Sequence, residues 1–209
     1  MLADPTLRMC LPTGRTPEPV YREVANAADF SQSTVFLLDE FGLPADDPGR
    51  CDRMLQQGLL DRLGEAPLSY HRLDPDTPDH ERECARFAEL IADGGLDLVL
   101  LGLGGNGHLG LNEPGSEPDS PTRVVQLAAT TRQGMRDYGA IAETDWGMTT
   151  GLKEILAGRE VWLLVSGAHK QDILRRFLED PVGLDLPATW LRGHDNCVVW
   201  ADEAAAKGL

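Results

Sequence analysis

Apolar runs and amphipathic runs alternate along the chain. Residues 7–11 form a short apolar run that Pro12-Thr13-Gly14 stops, which predicts a strand. Residues 17–27 have helical spacing, with Thr16 as the expected N-cap and Pro17 at the first helical position. Residues 34–38 predict a buried strand, and Met54, Leu55, Leu59 and Leu60 predict a helix over 51–63. A short strand is expected at 69–73. Cys84, Phe87, Ala88 and Ile91 share one face of a helix expected over 79–93, which Gly94-Gly95 ends. Residues 96–101 are the candidate central strand. Further strands are expected at 124–127, 161–165 and 197–200, and helices at 152–157 and 168–178.

Continuous apolar strands alternating with helices predict an α/β fold, a doubly wound and mostly parallel sheet covered on both faces. No internal repeat or linker divides the 209 residues. One domain is therefore expected over 1–209, with the irregular stretch at about 132–148 as a candidate lid.

Charge narrows the partners. Nineteen basic against 34 acidic residues leave a formal −15, which repels nucleic-acid backbones. A small anion is still compatible, because one local cation and a helix N-terminus suffice to hold a phosphate. No apolar run approaches the ~18 residues of a membrane helix. Met1-Leu2-Ala3-Asp4-Pro5 lacks the basic start and apolar core of a secretory leader, so a cytoplasmic protein is expected. The four cysteines are far apart, without a C-x-x-C pair, which argues against zinc ribbons and redox motifs. Cys10 and Cys197 lie in apolar strand-like runs and are expected to be buried reduced thiols.

Ligands of open α/β sheets sit beyond the carboxyl ends of the strands. Four such ends carry chemistry here. After the central strand, Gly102, Gly104 and Gly107 satisfy G-x-G-x-x-G, but Gly110, Pro114 and Gly115 leave no room for the helix a dinucleotide fingerprint needs. The loop instead lets backbone at Gly105 and Gly107 approach a ligand, and it presents Asn106, His108 and Glu113 within eight residues. An imidazole beside a carboxylate suits proton transfer. The run 34–38 ends on Asp39-Glu40. Alternation turns one of these carboxylates to the crevice and the other away from it. The first strand leads through Thr13, Gly14, Arg15 and Thr16 into a helix, a geometry that binds phosphate. Lys170 follows the strand at 161–165 and can supply positive charge.

These residues carry a resemblance. The segments Gly104-Gly105-Asn106-Gly107-His108-Leu109-Gly110-Leu111-Asn112-Glu113-Pro114-Gly115, Thr150-Gly151-Leu152-Lys153-Glu154-Ile155-Leu156 and Lys170-Gln171-Asp172 are similar to the glucosamine/galactosamine-6-phosphate deaminase (isomerase) family, and within it most to the galactosamine-6-phosphate branch. The family shares a Rossmann-like fold with 6-phosphogluconolactonases, which carry the Gly-His but generally lack the Asn-Glu-Pro. The resemblance runs from about residue 7 to 201. The family's usual N-terminal helix has no counterpart ahead of residue 7.

The resemblance implies deaminating isomerisation of an amino sugar 6-phosphate to a ketose 6-phosphate plus ammonia, with galactosamine 6-phosphate and tagatose 6-phosphate as the first choice. It implies no metal or other cofactor, and a homo-oligomer, since members are often oligomeric. Asp39 would be the C2 base, with Glu40 its neighbour in the motif. His108 would open the ring, and Glu113 would orient it. Gly14, Thr16 and Lys170 would hold the phosphate, with a basic residue from 132–136, of which Arg136 is the candidate. Three departures stand out. Asn106 replaces the aspartate of glucosamine-6-phosphate enzymes and cannot be an anion. Arg15 stands where Gly or Ala is usual. Val125 replaces a basic residue of allosteric members, although Arg123 remains. The competing readings are a glucosamine-6-phosphate deaminase, a 6-phosphogluconolactonase-like hydrolase and a non-catalytic sugar-phosphate binder.

Overall fold

The computed structural model describes residues 6–209, so the leader reading at Met1–Pro5 lies outside the described residues. The strands are β1 (Arg8–Leu11), β2 (Thr34–Leu37), β3 (Asp39–Phe41), β4 (Ser69–His71), β5 (Leu98–Gly102), β6 (Arg123–Gln126), β7 (Trp146–Thr149), β8 (Glu160–Val165) and β9 (Cys197–Ala201). The helices are α1 (Glu18–Ala27), α2 (Cys51–Gly58), α3 (His80–Ala92), α4 (Ala129–Met135), α5 (Leu152–Leu156) and α6 (Gln171–Glu179). Among the described residues no helix is long and apolar enough to cross a membrane.

Six strands form one sheet in the order β4-β2-β1-β5-β8-β9, and every pairing in it is parallel. This is the expected doubly wound α/β architecture, with β5 in the middle. Helices α3, α5 and α6 put Phe87, Ile155 and Phe177 onto one face. Helices α1 and α2 put Tyr21 and Leu55 onto the other. Each such side chain, fully buried, contributes about 1.5–3 kcal/mol. The β8–β9 end of the second face is open. There Leu98, Trp162, Leu164 and Trp200 line an apolar depression, so the expectation of two covered faces is met only in part.

Several local expectations need correction. Thr16 makes no capping bond. Helix α1 starts one residue later, with Pro17 as its N-cap and its carbonyl accepting from Tyr21 N at 2.9 Å. Helix α2 ends at Gly58, and a separate turn of 3₁₀ helix follows at Leu60–Arg62. Cys197 is only half-buried, because β9 is an edge strand. The strand near 124 does not join the parallel sheet. It lies in a second, antiparallel sheet of order β3-β7-β6. Two elements of that region, α4 and β7, have no counterpart in the sequence pattern, since 132–148 reads as irregular.

The change of sheets fixes the place of Asp39. Leu38 N donates to Leu11 O at 2.9 Å, continuing the parallel ladder. Leu38 O then accepts from Thr150 N at 2.8 Å and from the Thr150 hydroxyl at 2.8 Å. Asp39 is already opposite Thr149 in the second sheet. The chain thus turns between two sheets at Leu38 and leaves Asp39 at their junction.

Candidate active site

Strand order reverses between β1 and β5: the chain runs outward from β1 through β2 to β4, then returns to β5 on the other side. Connections diverge at such a point and open a crevice at the carboxyl ends of the strands. A cavity of ≈ 230 Å³ lies there, lined by the turn after β1, the end of β2, the glycine loop after β5 and Lys170 after β8. Asp39, His108, Thr13, Gly14, Arg15, Thr16, Gly105 and Lys170 all line it.

Asp39 is 8% exposed. Burial pushes its carboxyl up to about 6, against hydrogen bonding from Cys51 and the charge of His108. A methyl group built on Gly110 would come within 3.2 Å of Asp39 Oδ2 and 2.9 Å of Thr149 Oγ1, and Gly110 has φ +58. Only glycine fits that approach.

His108 is held from behind. Its Nδ1 lies 3.4 Å from Glu113 Oε2. Asn106 Nδ2 donates to the same Oε2 at 2.8 Å, and Asn106 Oδ1 accepts from His108 N at 3.2 Å. Glu113 Oε1 accepts from Ala128 N and from the Thr131 hydroxyl. Burial would raise Glu113, but the bond and charge of His108, with Thr131 and Asn106, outweigh it and hold the carboxyl down at about 2. Glu113 is therefore an anion at neutral pH. A Cβ on Gly104 would fall 2.4–2.5 Å from the imidazole ring, so the ring fits only because that position is bare.

At the other end of the cavity, the Lys170 ammonium donates to Leu103 O at 2.7 Å, and burial lowers its pKa. The Arg15 guanidinium lies at the mouth and donates to Asp137 O at 3.1 Å. Tyr138 lies against Gly14, where an added Cβ would be 3.2 Å from Cε1 of its ring.

Five expected site residues do not line this cavity, Glu113 behind His108 among them. Arg136 is exposed and forms an ion pair with Glu143, because the turn after α4 directs it outward. Glu40 is buried on the far side of β3. Its carboxylate accepts from Phe41 N at 2.9 Å, Cys51 N at 2.8 Å and Asp52 N at 2.9 Å, with Arg50 Nε at 3.6 Å. Burial pushes it up to about 7 against these partners. Asn106 stands behind His108, bonded to Glu113 rather than turned to the cavity. Gly107 is buried in a turn against Leu186. Conversely, Cys51, Thr131 and Tyr138 line the cavity although no local spacing marks them. Their side chains are ordinary in helical or loop contexts.

A family model described as glucosamine-6-phosphate isomerases/6-phosphogluconolactonase matches residues 2–200. The chain belongs to this family. A glucosamine-6-phosphate deaminase of Shouchella clausii is 37% identical, over 97% of this chain and 86% of its own length. The Escherichia coli K12 protein named "Putative deaminase AgaI" is 42% identical over 94% of this chain and 80% of its own length. The solved structure of a monomeric glucosamine-6-phosphate deaminase superposes with a TM-score of 0.91 at 33% identity, covering 97% of this chain and 88% of that one. Family membership makes the protein an enzyme of the deaminase/isomerase type, built on the fold that the family's lactonases share.

Proposed function

We propose that the protein converts an amino sugar 6-phosphate and water into a ketose 6-phosphate and ammonia. Galactosamine 6-phosphate, giving tagatose 6-phosphate, is the substrate suggested by the Asn106 signature. Glucosamine 6-phosphate is the substrate named for the relatives. One observation carries the reading: Asp39 and His108 face a single cavity that also holds Lys170 and the turn at Thr13–Thr16.

The chemistry follows from the environments. The turn, Lys170 and Arg15 bind the phosphate and set the sugar between the two proton-transfer groups. His108 exchanges a proton with the ring oxygen and opens the pyranose, while ionised Glu113 steadies the imidazolium that forms. Asp39, raised to about 6, is ionised at pH 7 yet basic enough to take the C2 proton. The electron pair left at C2 delocalises into the C1 carbonyl and gives an enolamine. Asp39 returns the proton to C1, leaving an imine at C2. Water adds to that carbon, ammonia departs and the ketone remains. Each general acid–base step of this kind contributes about 10²–10⁴ in rate.

Ammonia release from both amino sugar 6-phosphates, run in deuterated water, tests this. The expected result is one ammonia per ketose phosphate formed, with deuterium at C1, and the faster substrate decides between the two epimers. Hydrolysis of a phosphosugar lactone without ammonia release would place the chain with the lactonases. Silence with both amino sugars would remove the deaminase reading.

A further inference from the structure

Thr131, on α4, stands between Glu113 and His108. Its hydroxyl donates to Glu113 Oε1 at 2.5 Å, and His108 Nδ1 lies 3.5 Å from the same hydroxyl oxygen. A hydroxyl has one proton and two acceptor lone pairs. With the proton committed to the carboxylate, the Thr131 oxygen can only accept from the imidazole. Glu113, an anion, is also acceptor-only, and its Oε2 lies 3.4 Å from the same ring nitrogen. Two acceptors therefore face Nδ1. A lone pair on Nδ1 would meet two others, so Nδ1 carries the proton. In the neutral ring Nε2 is then bare, on the edge beside Gly104. The charged groups across the cavity, Asp39 and Lys170, approach from other elements and make no hydrogen bond to Nδ1.

We propose that Thr131 is a positioning residue that, together with Glu113, fixes the Nδ1–H tautomer of His108 and so presents Nε2 to the substrate. The proposal rests on the reading of His108 as the ring-opening group, and it adds a residue that acts only through that imidazole. Glu113 faces the same nitrogen through Oε2, and Thr131 adds to it in two ways: it is a second acceptor for Nδ1–H, and it holds the carboxylate against the ring through Oε1. Helix α4 thus reaches the proton-transfer group through a single hydroxyl.

The test compares wild type, Thr131→Val and Thr131→Ser by ¹⁵N spectra of the His108 ring, assigned with a His108→Gln control, together with kcat and KM. Valine keeps the shape and removes the hydroxyl. Wild type is expected to show one protonated and one bare ring nitrogen. Thr131→Val is expected to weaken the preference, moving the two nitrogen signals toward each other, and to lower kcat about tenfold, the scale of one hydrogen bond, with KM within about twofold. Serine restores both. Unchanged ring signals and kcat in Thr131→Val would overturn the proposal. So would a serine variant as impaired as valine, since packing of the methyl group would then explain the loss. Should Thr131→Val not fold, the serine variant and the wild-type ring spectrum still decide, because a wild-type ring with bare Nδ1 contradicts the proposal directly. The ring spectra need no substrate, so wild type inactive on both amino sugars would sink the functional reading and leave the tautomer assignment to be judged by the spectra.

Discussion

His108 Nδ1 lies 3.4 Å from Oε2 of Glu113, a carboxylate held far below its usual range by that imidazole and by Thr131 and Asn106. Through its other oxygen Glu113 also ties the glycine loop after β5 to the start of α4, accepting from Ala128 N and the Thr131 hydroxyl. Its energetic meaning can be checked in two independent ways.

Glu113→Gln keeps the shape and loses the charge. Its kcat is expected to fall by about 10–10², because the imidazolium loses its counter-ion. The stability change has a defined sign. Glu113 is lowered in the folded protein, from 4.5 to about 2. Its contribution is present above the unfolded value and is lost as pH falls toward 2. Urea titrations should show the variant less stable at pH 7 by roughly 1–3 kcal/mol, with the gap narrowing below about pH 4.5.

Asp39 behaves in the opposite way. Its folded pKa is raised, from 3.8 to about 6, so ionisation penalises the folded state. The penalty is complete above pH 6 and absent below about pH 4. Asp39→Asn should therefore be more stable than wild type at pH 8, by roughly 1–3 kcal/mol, and equal to it at pH 4. The same variant should lose about 10²–10⁴ in kcat with little change in KM. Near-full activity would remove Asp39 as the base.

Glu40 stands next to Asp39 in sequence but serves the fold. It satisfies the first N–H groups of α2 and lies against Arg50, which is 3% exposed. Glu40→Ala is expected to cost about 3–5 kcal/mol by stranding these groups, read as a lower melting temperature. The folded fraction should lose less kcat than Asp39→Asn does.

At the end proposed for the phosphate, the structure separates two cations that the sequence offers, Lys170 and the candidate Arg136. Lys170→Ala should raise KM about tenfold or more with a smaller effect on kcat, as expected for a group that binds ground and transition states alike. Arg136→Ala should stay within about twofold of wild type, because its guanidinium faces Glu143 and solvent.

Much of this molecule is legible from short windows of sequence. The strands at 98–102 and 160–165 and the helix at 80–92 follow from apolar spacing, which neighbouring residues express without help from the rest of the chain. The helix boundary at Asp79 is equally local, since its side chain accepts from Arg82 N at 3.0 Å. Within 123–149 the strand at 123–126 is legible in this way, but its sheet is not, and neither are α4 and β7. Strand β7 is buried between β6 and β3, which lies far away in sequence, so no single window carries its full pattern.

The site divides along the same line. Residue chemistry and position at strand ends pick out Asp39, His108, Glu113, Lys170 and the Thr13–Thr16 turn, because strand ends are where an open sheet exposes ligands. Only the folded chain separates Asp39 from Glu40, turns Arg136 outward, puts Asn106 behind the imidazole and brings Thr131 to it. Those outcomes depend on which sheet each strand enters and which side chains meet across it. Such contacts join residues distant in the chain, and no pattern along the chain encodes their direction.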